Sequence, residues 1–178
     1  MSKKIKAIKF TILYCFFFNI VSSISQTNEN VPLNNIVQHV NPKLISPIVF
    51  EDFSANKVNL RDYLGKLVIV NFWTTWCKPC KEEIPSLDNL SQNESFENLV
   101  IFPVNIENIN YEKTKKFFSN LNVKKLKIFF DQNLNFVKEL KLIGVPTTVI
   151  INKRGKEFAR IIGSIDFEDK KFLKWLSD

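Results

Sequence analysis

Val70-Asn71-Phe72-Trp73-Thr74-Thr75-Trp76-Cys77-Lys78-Pro79-Cys80 is the stretch whose reading decides the fold. Apolar, β-prone residues run into Trp-Cys-x-x-Cys, and a helical pattern follows over Trp76 to Leu90. A cysteine at a helix N-terminus lies among unpaired backbone N–H groups and the positive end of the helix dipole. Both favour thiolate, and thiolate rather than thiol attacks disulfides. The pair therefore reads as a device for disulfide exchange. Cys77, at the helix start, is the expected attacking thiol. Cys80, one turn deeper, is expected to resolve the mixed disulfide. Lys78 places a positive charge beside Cys77, and Pro79 limits backbone freedom between the two sulfurs. Both are expected to tune the redox pair.

Other uses of Cys-x-x-Cys fit less well. Half of a zinc site needs two further ligands, and the chain offers no second pair and one histidine, His39. No metal is expected. Inert core cysteines would rarely fall between such a strand and such a helix. A peroxidatic cysteine is the third rival, since Thr74 lies three residues before Cys77. Val70, however, stands where that signature has proline.

Working outward, 178 residues suffice for one domain with a full core. The net charge of +7 sits largely at the front. Lys3, Lys4, Lys6 and Lys9 precede an apolar run from Phe10 to Val21, and small residues follow at Ser22, Ser23 and Ser25. This is the pattern of an export signal over 1–25, cleaved after Ser25. An uncleaved membrane anchor through 10–21 is the rival, though the run is shorter than the ~20 residues a spanning helix needs. All 18 acidic residues lie beyond Ser25, so without that segment the charge is only +3, too little to indicate a nucleic-acid partner. Cys15 lies in the apolar run, and the bulky Tyr14 before it does not suit lipidation. An exported protein with one close cysteine pair is not a disulfide scaffold, so the pair is there to react.

Residues 26–43 show no sustained period and read as a linker or an arm laid on the domain, which spans 44–178. Ile48 to Phe50 and Val58 to Leu60 form a candidate hairpin. Strands are expected at Leu67 to Phe72, Asn98 to Asn105, Leu126 to Phe130, Thr147 to Ile151 and Glu157 to Ile162. Helices are expected at Tyr111 to Leu121, Leu134 to Leu140 and Asp166 to Leu176, the last capped by Asp166. This order predicts an α/β domain with a mainly parallel sheet and an antiparallel edge.

Phe72 to Cys80, taken with Gly144-Val145-Pro146-Thr147-Thr148, resembles the thioredoxin superfamily, and within it the exported TlpA/ResA-type branch. The likeness covers Leu44 to Asp178. It implies a thioredoxin fold: a central mixed sheet flanked by helices, with an N-terminal β-hairpin and an inserted strand–helix unit. It implies that Pro146 is cis and packs beside the disulfide, that Val145 and Pro146 meet the substrate peptide, and that Trp76 shields the disulfide. Pro85 matches a helix-kinking proline. Thioredoxin itself has a buried Asp where this chain has Asn71, which cannot relay a proton. In the TlpA/ResA-type branch a Glu three residues after the second cysteine lies near the site, and Glu83 matches it. A buried Glu83 would have a raised pKa and could accept the Cys80 proton. The rival reading makes it a solvated acid complementing the helix dipole.

The implied activity is reduction of disulfides in exported cysteine-containing proteins, such as apocytochromes c, in the periplasm or a like compartment, with electrons from a membrane thiol reductase. Cytochrome-maturation members usually carry Gly-x-Pro-Glu-Thr around the proline, and Val145-Pro146-Thr147-Thr148 departs from that. No cofactor beyond the Cys77–Cys80 disulfide is implied. The alternatives are an oxidant or isomerase, and a non-catalytic module that holds a client beside Cys77 and Pro146.

Overall fold

The computed structural model describes residues 34–46 and 49–178. The expected export segment or anchor at 1–25, the arm's first residues 26–33, and Ile48 lie outside the described residues. Among those described, no helix is long and apolar enough to cross a membrane.

Among the described residues, eight strands form one sheet, in the order β1-β8-β7-β4-β5-β6-β2-β3. They span Ile36–Leu44, Val49–Asp52, Lys57–Asn59, Leu67–Trp73, Leu99–Asn105, Phe129–Phe130, Thr147–Ile151 and Lys156–Ile162, from β1 to β8. Helices α1 (Lys78–Leu90), α2 (Tyr111–Asn120), α3 (Asn135–Glu139) and α4 (Lys170–Ser177) flank it. β4 is central and buried on both faces, which is why its apolar run is continuous. Its Val68, Val70 and Phe72 pack with Phe50, Phe102, Phe129 and Phe136. Ile69 faces the opposite layer, with Leu87 of α1 and Phe172 of α4. Trp73 packs with Phe117 and Phe118 of α2.

The sheet is mixed, as expected, but less parallel than the order of elements suggested. Only β4–β5 and β5–β6 pair in parallel among the described residues. The short α3 explains this. Five residues of helix advance the chain by only ~7.5 Å, too little to carry it back to the far end of the sheet. β7 therefore starts where β4 ends and runs antiparallel to it, with Phe72 opposite Thr147.

Three other expectations are revised. From Ile36 on, the arm is an edge strand, antiparallel to β8. An edge strand solvated on both faces shows no alternation, and the burial of β1 has none. The strand at Leu126 to Phe130 shrinks to Phe129–Phe130, because the N–H groups of Lys124, Lys125 and Leu126 all donate to the buried Asp88 carboxylate at 2.9 Å. The last helix starts at Lys170 and is capped by Asp169, not Asp166. Asp166 instead accepts from Glu168 N in the preceding turn, which sends Phe167 into the core.

Asp88 ties α1 to the segment before β6 through those three N–H groups. Asp88→Ala should lower the unfolding free energy by about 1–3 kcal/mol, since it removes the charged acceptor of three part-buried N–H groups. Urea denaturation of the oxidised protein checks this, and an unchanged midpoint would mean the N–H groups find other partners.

Candidate active site

Strand β4 ends at Trp73, and the chain turns through Thr74 to Trp76 into α1. Cys77 is the N-cap, with extended backbone, and its Sγ accepts a hydrogen bond from Cys80 N at 3.2 Å. Pro79 fits the first turn, where its missing N–H would have had no intrahelical partner. Cys77 and Cys80 form a disulfide, with Cα atoms 5.3 Å apart. Beneath the sulfurs lie Trp73, Ile84, Phe117 and Phe118, with Val145 against the same cluster. The Val145–Pro146 bond is cis. Because Phe72 pairs with Thr147, the β4 end and the β7 start adjoin, and this brings Pro146 to the end of the sheet that carries Cys77. Gly163 N donates to Pro146 O, closing that end of the sheet from the β8 side.

Glu83 is 2% exposed. It is therefore not a solvated first-turn acid. Its two oxygens accept from Asn71 Nδ2 at 2.7 Å and from Ile165 N at 3.3 Å. Asn71 Nδ2 also donates to Thr148 Oγ1 at 2.9 Å. A polar string thus crosses from β7 through β4 to α1, one helical turn beyond Cys80. Burial pushes the Glu83 carboxyl up to about 7 from an ordinary 4.5, against the opposing pull of the Asn71 amide and Ile165 N–H. Asn71, unable to relay a proton itself, holds the Glu83 carboxyl in place.

That carboxyl has a measurable signature in stability. Below pH 4.5 it is protonated whether the chain is folded or unfolded; as pH rises through about 7, the folded protein loses the advantage of holding that proton. Stability should decline across this window by about 3 kcal/mol, at ~1.4 kcal/mol per pH unit. Glu83→Gln should flatten that slope in denaturant midpoints measured from pH 4 to 8, and identical slopes would refute the assignment.

Two expectations for the site change. Trp76 is 68% exposed, whereas Cys77 is only 4% exposed and enclosed by the Trp73–Phe117–Phe118 cluster. The attacking cysteine is thus less open than its place in sequence suggested. The Lys78 side chain is 88% exposed and stands 4.0 Å from Glu82. So exposed and countered a charge adds little, which leaves the helix terminus as the main stabiliser of a thiolate. His39, the one histidine, bonds Glu157 Oε1 at 2.9 Å rather than approaching the cysteines.

Sequence reasoning passed over Glu107. It follows β5, and Thr75 Oγ1 donates to its Oε1 at 2.7 Å and Thr75 N to its Oε2 at 3.4 Å. Nothing in the polar run Asn105-Ile106-Glu107-Asn108 signals that contact, since it depends on the adjacency of the β4 and β5 ends.

Residues 47–172 match the Redoxin family. The chain belongs to that family. It is 30% identical over 127 residues to the thiol-disulfide oxidoreductase ResA of Bacillus thuringiensis subsp. konkukian, covering 71% of this chain and 72% of that protein. The ResA of Geobacillus thermodenitrificans is 33% identical over 125 residues, covering 69% and 70%. Among solved structures, StoA from Bacillus subtilis superposes with a TM-score of 0.63 at 22% identity, covering 77% of this chain and 100% of that one. A DsbF homologue from Corynebacterium diphtheriae gives 0.67 at 19% identity, covering 85% and 96%. The fold is that of thioredoxin, and this Redoxin-family chain is a thiol–disulfide oxidoreductase of the ResA type.

Proposed function

We propose that this protein reduces disulfides in exported cysteine-containing proteins outside the cytoplasm, apocytochromes c among them, as the resemblance to the TlpA/ResA-type branch implies. On this reading 1–25 exports the chain or, through 10–21, anchors it. Cys77 thiolate attacks a client disulfide, forming the Cys77–client bond and releasing one client thiolate. Glu83 takes the Cys80 proton. Cys80 then attacks Cys77 Sγ, forming the Cys77–Cys80 bond and releasing the second client thiolate. Two electrons pass to the client, and two protons complete its thiols. A membrane thiol reductase returns the electrons, and no cofactor beyond the Cys77–Cys80 pair takes part.

The observation that carries this reading is the buried Glu83 one turn beyond Cys80, with its pKa raised to about 7. A resolving thiol needs a proton acceptor when the dithiol acts as reductant. Trp76 and Ile143 expose apolar surface on the two loops that carry Cys77 and Pro146. With Val145 and Pro146 they are suited to hold a client chain.

The reduction potential tests the direction. A value nearer the ~−270 mV of thioredoxin than the ~−120 mV of a strong oxidant is expected, together with steady insulin reduction. A potential near the oxidant end would reverse the direction, and no turnover would favour a client-holding module.

A further inference from the structure

We infer that Glu107 and Lys113 form a charge pair that positions and tunes the turn carrying Cys77. The pair reaches the turn from the neighbouring strand connection, between β5 and α2. Glu107 receives both the Thr75 hydroxyl and the Thr75 backbone N–H, so its carboxylate clamps a single residue two positions before the nucleophile. Thr75 is buried. The clamp is itself held: Glu107 N donates to Asn105 Oδ1 at 3.0 Å, and Ile106 N donates to Trp73 O at 3.2 Å. Lys113, in the first turn of α2, places its Nζ 3.4 Å from Glu107 Oε1. The Lys113 side chain is half exposed and that of Glu107 is nearly enclosed.

The two charges act on Cys77 in opposite senses. A carboxylate close to the turn disfavours a thiolate at Cys77, and a partly buried charge is poorly screened. Lys113 offsets that effect. Lys78, Lys81 and Glu82, the other charged residues on the first turns of the helix, are exposed, and Glu83 sits on the Cys80 side of the helix. The Glu107–Lys113 balance is thus the one placed to set how readily the oxidised pair accepts electrons. A lower thiol pKa stabilises the reduced form and raises the reduction potential.

Charge-sign variants separate tuning from mere bracing. Glu107→Gln keeps an acceptor for Thr75 and removes the negative charge. It should shift the glutathione exchange equilibrium toward the dithiol by about three- to tenfold, up to ~30 mV, and speed Cys77 alkylation at pH 6. Lys113→Met should shift both readings the other way by a smaller factor, and added salt should shrink its effect. The double variant should return toward wild type. Shifts of the same sign in both single variants, or potentials indistinguishable from wild type, would overturn the proposal. Thr75→Val retains both charges, so it should slow insulin reduction while moving the potential little. If it moved the potential as far as Glu107→Gln does, bracing alone would account for the pair.

Discussion

Cys80→Ser should accumulate mixed disulfides with client proteins, and Cys77→Ser should trap almost none. Removing Cys80 leaves an attacking sulfur at the helix N-terminus and takes away the thiol that would release the client. Removing Cys77 leaves Cys80, the fully buried member of the pair. Both variants should lose insulin-reductase turnover by at least about 10³-fold, the scale of losing an essential nucleophile. Non-reducing gels of the two variants, expressed in a bacterial envelope, read the result. Equal, low trapping would remove the exchange reading in favour of a client-holding module. Stronger trapping by Cys77→Ser would exchange the roles of the two sulfurs.

Glu83→Gln should slow the resolving step at neutral pH by a factor within the ~10²–10⁴ typical of general acid–base catalysis. The substitution keeps the side chain's size and an acceptor for Asn71 but removes the site that takes the proton. With the carboxyl pushed up to about 7, the wild-type resolving rate should rise with pH through that region. The variant should lack this inflection. Cys77 attack should change much less, because the helix terminus still stabilises its thiolate. Stopped-flow decay of a peptide mixed disulfide from pH 5 to 9 separates the steps, and superimposable profiles would refute the relay. The stability slope predicted for Glu83 is independent of turnover. A variant that flattens that slope yet resolves at the wild-type rate would leave Glu83 a buried acid with no part in the chemistry.

Much of the site was legible from local chemistry. The β4 run ending in Trp-Cys-x-x-Cys locates the redox pair, because strand, turn and helix start are contiguous in the chain. Asn71 and Glu83 were both singled out, but their hydrogen bond was not, since it depends on how α1 packs on β4. The edge strand β1 was invisible as a strand, because one-sided pairing in solvent imposes no apolar alternation. The β6 strand was overestimated because its N-terminal donors go to Asp88, a residue of α1 some 36 positions earlier.

The sequence by itself determined which residues can do the chemistry: two cysteines one helical turn apart, a proline before β7, and a carboxyl one turn further along the same helix. Those follow from short-range periodicity and from what each side chain can donate, accept or lose. Tertiary structure alone decided their state and surroundings. It buried Cys77, turned Trp76 out to solvent, set Glu83 against Asn71, and brought Glu107 and Lys113 to the active-site turn. Desolvation and charge–charge effects depend on distance and burial in space, and neither quantity is carried by spacing along the chain.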